Sequence, residues 1–213
     1  GNIDPRSRGS FDAAEESGRA LGRASFQALK RASAMTEPSI AYRKIPLKLK
    51  LKDRTDQIAT AQACVDQTRA SLNSHRGGEG YQLKRLRDHH EQSLAALRAL
   101  EAAEEQERRD RRVDLARREM TAAITVLAVG DAAFVGIPGE LFVEFGLELK
   151  QNPHFRHTFV VGYCNDLIGY IPTAAAYPQG GYEVESARVA SGSGEVMVAA
   201  ALTALAELRA TTL

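Results

Sequence analysis

The 213-residue chain carries a formal net charge of +1 at neutral pH, which gives no electrostatic reason to expect a nucleic-acid partner. Its contents of 44% hydrophobic and 26% charged residues are ordinary for a globular domain, and no apolar run reaches the roughly 18 residues of a transmembrane segment. Two cysteines far apart in sequence, Cys64 and Cys164, do not define a disulfide framework or a zinc knuckle. We therefore expect a single domain over residues 1–213, and the start at Gly1 suggests a fragment of a longer protein.

The first quarter of the chain predicts a helix followed by an edge strand. Ser10 is a suitable N-cap for a helix over residues 11–34, whose small and apolar residues would pack on a sheet. Residues 40–51 alternate apolar residues with lysines and contain Pro46, a pattern that favours an edge strand with its lysines in solvent. A basic patch for nucleic acid is the less favoured interpretation of these lysines.

Residues 56–112 have a different composition, rich in Ala, Leu, Arg, Glu and Gln, with a glycine-containing break at residues 76–80. Their amphipathic pattern predicts two antiparallel helices, a helical hairpin inserted in the domain. Three histidines in this segment are predicted to be solvated surface residues and not metal ligands: His75, His89 and His90. An exposed apolar face on the second helix would make the hairpin an interaction module. The leucines that would form that face are Leu83, Leu86, Leu94 and Leu97.

From Met120 onward the pattern becomes a compact alternation of strands and helices. Two strands are predicted over residues 121–129 and 132–137, joined by a turn at Gly130-Asp131. A helix that ends before Pro153 and a buried strand over 158–161 follow. The last predicted element is a helix that Ser193 caps. The whole chain is therefore predicted to have an α/β (α+β) fold. A mixed β-sheet would have helices packed on it, and the helical hairpin would be an insertion.

Polar and aromatic residues lie between glycines at the ends of the predicted strands, where rigid sites are often built. Glu140 follows Pro138-Gly139 at a strand-to-helix junction, so its carboxylate suits metal ligation or base catalysis, although a first-turn glutamate that only complements the helix dipole is the alternative that local physics favours. Tyr170 and Tyr182 each follow a glycine. A phenol can stabilise an oxyanion, or can bind a metal if nearby charge lowers its pKa, but local physics alone favours tyrosines that only pack, with a satisfied hydroxyl. Asn165 could orient either group.

An ordered set of short motifs resembles the neutral/alkaline non-lysosomal ceramidase family. Gly139-Glu140 is similar to the family's Pro-(Gly/Ala)-Glu element, and Cys164-Asn165 followed by Tyr170-Ile171-Pro172-Thr173 is similar to its Asn…Tyr-(Ile/Val)-Thr-Thr element. Tyr182-Glu183 resembles the family's Tyr-Glu element, and Gly1-Asn2-Ile3-Asp4-Pro5 resembles its Gly-Asp-x-Ser-Pro turn.

This resemblance implies that the chain is the C-terminal part of the catalytic domain of a zinc-dependent hydrolase, which acts on an amide bond in an N-acyl lipid or related small molecule. Glu140 and Tyr170 would be zinc ligands, and Tyr182 would stabilise the oxyanion. Asp4, at the position of the family's serine, would be a second catalytic candidate. The family's two histidine ligands precede that turn, so the upstream part of the same protein would supply them. We therefore expect little activity from the isolated chain.

Asp4 also keeps an alternative open, because an aspartate cannot do the serine's work unchanged. The alternative is a non-catalytic relative that keeps the scaffold as a binding or structural module. The resemblance favours a secreted or periplasmic location.

Overall fold

The computed structural model describes residues 9–35, 38–77, 80–151 and 154–212. The helices in these ranges are α1 (Phe11–Arg31), α2 (Thr55–Ser74), α3 (Tyr81–Arg109), α4 (Val143–Lys150), α5 (Tyr182–Ser186) and α6 (Ser193–Thr212). The strands are β1 (Ile40–Lys50), β2 (Val113–Asp114), β3 (Glu119–Val129), β4 (Ala132–Gly136), β5 (Glu140–Leu141), β6 (His157–Val161) and β7 (Tyr170–Ile171). Within the described ranges, no helix is both long and apolar enough to cross a membrane.

A mixed sheet with the strand order β1-β3-β4-β6 forms the centre of the fold, and β2 pairs with the start of β3 on the edge opposite β1. The β1–β3 and β3–β4 pairs are antiparallel, whereas β4 and β6 are parallel. Gly130 turns the chain between β3 and β4 with a φ of 55°, which glycine adopts without strain. The predicted α/β fold, the edge position of β1 and the turn at Gly130 are therefore confirmed.

Helices α6 and α4 cover one face of this sheet. Helix α6 packs on β1 and β3, and α4 packs on β6 and on α6. Alternate residues of β3 and β4 are fully buried beneath them, as are Met197 and Leu205 of α6, because successive side chains of a strand point to opposite faces. Helix α6 begins at Ser193 itself, so Ser193 is its first residue and not the residue before it.

Two elements are more exposed than their patterns predict. Ser10 does cap α1, since its Oγ accepts from the Ala13 N–H at 3.1 Å. Helix α1 nevertheless buries only Ala13, and Leu21 and Leu29 are each 70% exposed, so the predicted packing of α1 on the sheet is wrong. Strand β6, predicted to be buried, is half-buried at Thr158 and Val160 and exposed on its other face, where Phe159 is 49% exposed.

The helical hairpin is confirmed, with α2 and α3 as its two arms. Thr68 Oγ1 and His90 Nδ1 share a hydrogen bond of 2.9 Å between the arms, so His90 is a contact within the hairpin and not the solvated residue that we predicted. The four leucines of α3 do not form an exposed apolar face: Leu97 is buried, and the other three are half-buried. The hypothesis that these leucines make the hairpin an interaction module is therefore wrong.

A buried ion pair joins the base of the hairpin to the rest of the domain. The Arg54 guanidinium donates to the Glu107 carboxylate at 2.5 Å and to the Ala187 carbonyl oxygen at 2.8 Å. Nearby, Lys52 Nζ donates to the Val184 carbonyl oxygen at 3.0 Å, close to the C-terminus of α5. The start of α2, the end of α3 and the end of α5 are thus connected at one point.

Candidate active site

Glu140 and Tyr170 lie side by side on a separate two-stranded sheet. They are register partners in the parallel pair of β5 and β7, and the Glu140 N–H donates to the Gly169 carbonyl oxygen at 2.9 Å. This close approach requires Gly139, because a Cβ at that position would overlap the Gly169 carbonyl oxygen. The sequence Gly139-Glu140 therefore fixes the carboxylate beside the Tyr170 ring.

The position of Glu140 differs from the strand-to-helix junction that the sequence predicts. Glu140 belongs to β5, and helix α4 begins only at Val143. The acidic residue in the first turn of that helix is Glu144. A helix-dipole role for Glu140 is therefore excluded, since the effect of the dipole is confined to the first turn.

Two tyrosine hydroxyls lie close enough to the Glu140 carboxylate for it to raise their pKa values. The hydrogen bond to this carboxylate is the main cause that raises the pKa of Tyr163 to about 12. Partial burial, followed by the negative charge of Glu140, raises the pKa of Tyr170. Both phenols are consequently protonated at neutral pH, and the phenol of Tyr163 is the one whose pKa shift comes chiefly from a hydrogen bond to the carboxylate.

Tyr182, the first residue of α5, completes this group. Its ring meets that of Tyr170 edge to face, with 5.8 Å between the ring centroids and an interplanar angle of 75°. Tyr182 is 69% exposed, so it forms the open side of the group. We refer to Glu140, Tyr163, Tyr170 and Tyr182 as the Glu–Tyr cluster. The structure thus brings together the three cluster residues that the sequence predicts; their metal-binding and catalytic roles stay predictions.

Tyr163 is the member of the Glu–Tyr cluster that the sequence analysis missed. It follows Gly162 directly after β6, with a φ of 52°, an uncommon backbone conformation for a bulky residue. The Tyr163 N–H donates to the Gly139 carbonyl oxygen at 3.2 Å, which holds the residue beside β5. The signal that could have identified it is a tyrosine that directly follows a glycine, the pattern shared by Tyr170 and Tyr182.

Asn165 and Asp4 do not join the described cluster. The Asn165 side-chain amide donates to Cys164 Sγ at 3.4 Å and to Thr125 Oγ1 at 3.5 Å, so these described contacts direct it toward β3. Asn165 therefore supports the loop after β6, and the described contacts give it no part in orienting Glu140 or Tyr170. Asp4 lies outside the described residues.

The Glu–Tyr cluster fits only part of a zinc site. Structural and catalytic zinc sites in proteins have at least three protein ligands, mostly His and Cys nitrogen and sulfur atoms, and the described ranges contain no group of three or more His, Cys, Asp or Glu residues suited to a metal ion. A phenol binds a metal more readily when a nearby charge lowers its pKa, but the charge beside Tyr170 is that of Glu140, and it raises this pKa. The described residues therefore place two oxygen-bearing side chains, Glu140 and Tyr170, next to each other, and they do not form a complete site.

A second polar group that the sequence did not reveal lies at the end of α3. Asp110 accepts from Arg112 at 2.6 Å and from Arg188 at 2.9 Å, and Arg112 also pairs with Asp166 in the loop after β6. Hydrogen bonds, chiefly from Arg112, hold the pKa of Asp110 well below its usual range. This network ties the hairpin to the loop that carries Asn165 and to the segment after α5.

No family model matches the chain, and no curated protein matches its sequence. Among solved structures, the neutral ceramidase from Pseudomonas aeruginosa is similar over 99% of this chain and 35% of its own, with a TM-score of 0.54 and 12% identity. A ceramidase complexed with C2 is similar over 43% of this chain and 15% of its own, with a TM-score of 0.41 and 20% identity. The fold is thus similar to part of a neutral ceramidase. The chain spans about a third of the length of the Pseudomonas protein.

Proposed function

We propose that this chain is the C-terminal part of the catalytic domain of a ceramidase-like hydrolase that cleaves an amide bond. One observation carries the proposal: Glu140, Tyr170 and Tyr182, which the motifs single out from separate segments, meet in one cluster. The fold likeness to a neutral ceramidase supports it, because that comparison uses the backbone and not the motifs.

The residues of the cluster would have different roles, according to their exposure and their contacts. Tyr182, the exposed member of the cluster, would donate a hydrogen bond from its hydroxyl to the substrate carbonyl oxygen as negative charge develops on it. Tyr170 would hold Tyr182 in place through the edge-to-face ring contact. Tyr163 would fix the Glu140 carboxylate through its hydrogen bond. The cluster would thus act as a preorganised polar wall of the site.

Glu140 and Tyr170 would be the ligands that this chain contributes to a zinc ion. When bound, zinc would polarise the substrate carbonyl and activate water. Two oxygen ligands bind zinc weakly, so the upstream part of the same protein would supply the histidine ligands. The isolated chain would then have little or no activity. The substrate would be an N-acyl lipid or a related small amide.

The decisive experiment is elemental analysis of zinc in this chain and in a longer polypeptide of the same protein. We expect stoichiometric zinc in the longer polypeptide only, and its loss in the Glu140→Ala variant. Glu144→Ala is the matched control, because Glu144 is an exposed glutamate on the adjacent helix. Retention of zinc by the Glu140→Ala variant would refute the assignment of Glu140.

One sequence observation favours a second candidate function, a non-catalytic binding or structural module. Asp4 stands where the resembled family has its serine. A screen of the zinc-loaded longer polypeptide against N-acyl amides separates the two candidates. Hydrolysis that Tyr182→Phe slows would support the enzyme, whereas bound zinc with no hydrolysis of any amide would favour the module.

A further inference from the structure

One face of the central sheet carries a continuous row of apolar side chains. Tyr42, Leu127, Phe134 and Phe159 are successive register partners across β1, β3, β4 and β6. Register partners project from the same face of a sheet, so the four side chains form one line, and the rings of Phe134 and Phe159 stack with 5.0 Å between their centroids. At a strand spacing of about 4.8 Å, the row is about 14 Å long. We call it the open-face row.

The open-face row is exposed, although the opposite face of its two central strands, β3 and β4, is buried. The exposed fractions are 53% for Tyr42, 36% for Leu127, 37% for Phe134 and 49% for Phe159. Val126 and Val135, which point to the other face, are 0% exposed beneath the helices. A sheet that is apolar on both faces is typical of a central layer packed on both sides. Here the described residues cover only one face of the sheet, the face on which α4 and α6 pack.

We propose that the open-face row is the docking surface for a second layer of structure formed by another part of the same protein. This inference rests on the proposed function, which makes the chain part of a larger catalytic domain. The neutral ceramidase with a similar fold supports this occupant, because the match uses 99% of this chain and 35% of that protein. About two thirds of that polypeptide therefore lie outside the matched part.

The position of the row also relates the second layer to the Glu–Tyr cluster. Tyr163 follows the end of β6 and is four residues beyond Phe159, at most about 13 Å along the chain. A layer that covers the row and extends by this distance would reach the edge of the cluster. The same docking surface would bring ligands from the upstream part of the protein toward Glu140 and Tyr170.

Hydroxyl-radical footprinting of the 213-residue chain and of the longer polypeptide tests this inference. In the longer polypeptide we expect modification of Phe159 to fall about fivefold, in proportion to a loss of exposure from 49% to below a tenth. Tyr81, 76% exposed on the hairpin, is the internal control and should be modified equally in both. Equal modification of Phe159 in the two proteins would overturn the inference.

A substitution provides an independent comparison. Phe159→Asp should lower the melting temperature of the longer polypeptide far more than that of the 213-residue chain, because a charge beneath a docked layer is buried. Tyr81→Asp should change neither protein. Equal effects of Phe159→Asp in the two would contradict docking.

Other occupants are distinguishable outcomes. If the 213-residue chain forms a dimer in which Phe159 is protected, the row is the interface with a second copy. If Phe159 of the longer polypeptide is protected only when phosphatidylserine vesicles are added, the row binds a lipid surface. Either result would overturn the inference. Failure of the proposed function is a separate result. A longer polypeptide that protects Phe159 but binds no zinc would keep the second layer and reject the hydrolase.

Discussion

The buried pair of Arg54 and Glu107 makes a quantitative prediction about the helical hairpin. Their side chains are only 2% and 5% exposed, and the guanidinium also donates to the Ala187 carbonyl oxygen at 2.8 Å. Glu107→Gln keeps the shape of the side chain but leaves the Arg54 charge buried without its counterion. Removal of one partner from a buried ion pair destabilises proteins by about 3–5 kcal/mol, a large part of the roughly 5–15 kcal/mol that holds a domain folded.

The assay is urea unfolding of the 213-residue chain, followed by far-ultraviolet circular dichroism because the sequence has no Trp. The matched control is Glu15→Gln, since Glu15 pairs with Arg19 at 2.5 Å on the exposed surface of α1. That substitution should change the free energy of unfolding by less than about 0.5 kcal/mol.

A double substitution separates the charge from the shape of the pair. Arg54→Met together with Glu107→Leu removes both charges and should recover much of the stability that Glu107→Gln loses, because no unpaired charge is left buried. A loss of less than about 1 kcal/mol in Glu107→Gln would refute the argument, since it would mean that water reaches the guanidinium and that the hairpin base is open.

Three further predictions concern the second polar group and the Glu–Tyr cluster. Asp110→Asn should lower the free energy of unfolding at neutral pH, because the neighbouring arginines lower the pKa of Asp110 in the folded protein only. The difference from the unsubstituted protein should shrink as the pH falls below about 4. A difference that does not change with pH would contradict this prediction. Gly139→Ala should cost about 1–3 kcal/mol in urea unfolding, because the new Cβ meets the Gly169 carbonyl oxygen, and unchanged stability would show that the two strands separate freely. In an absorbance titration Tyr163 should ionise near pH 12. The raised pKa therefore contributes stability below about pH 10, and this contribution is lost as the pH rises through 12. Glu140→Gln should shift the ionisation of Tyr163 toward about pH 10, and an unchanged midpoint would exclude the hydrogen bond to Glu140 as the cause of the shift.

Strong local patterns predicted most of the fold. The alternation in residues 40–51 identified the edge strand, and Gly130-Asp131 identified the turn between β3 and β4, because both signals depend on residues adjacent in sequence. The stripe of α1 and the apolar run of β6 were interpreted incorrectly for one reason. Periodicity shows which face of an element is apolar, but it does not show whether another element covers that face.

The polar contacts between distant segments were beyond the sequence analysis. Arg54, Glu107 and Ala187 come from three separate parts of the chain, and each is ordinary in its local sequence. Asp110 and Arg188 are likewise 78 residues apart. Such pairs depend on the fold as a whole, so a single sequence does not reveal them.

The Glu–Tyr cluster could be predicted in part from the sequence. Its residues come from distant segments, but each of the four directly follows a glycine, which is a local signal. Gly139 lets β5 approach β7, and a Cβ at Gly162 would lie 3.2 Å from the Gly139 carbonyl oxygen, so both glycines allow the strands to meet closely. The pair Gly80-Tyr81 has the same pattern but lies on the hairpin, where Tyr81 is 76% exposed. A glycine before a tyrosine therefore does not identify a site by itself. Among the tyrosines of the cluster, only Tyr163 follows a glycine whose missing Cβ lets another backbone approach, since nothing lies within 4 Å of a Cβ at Gly169 or Gly181.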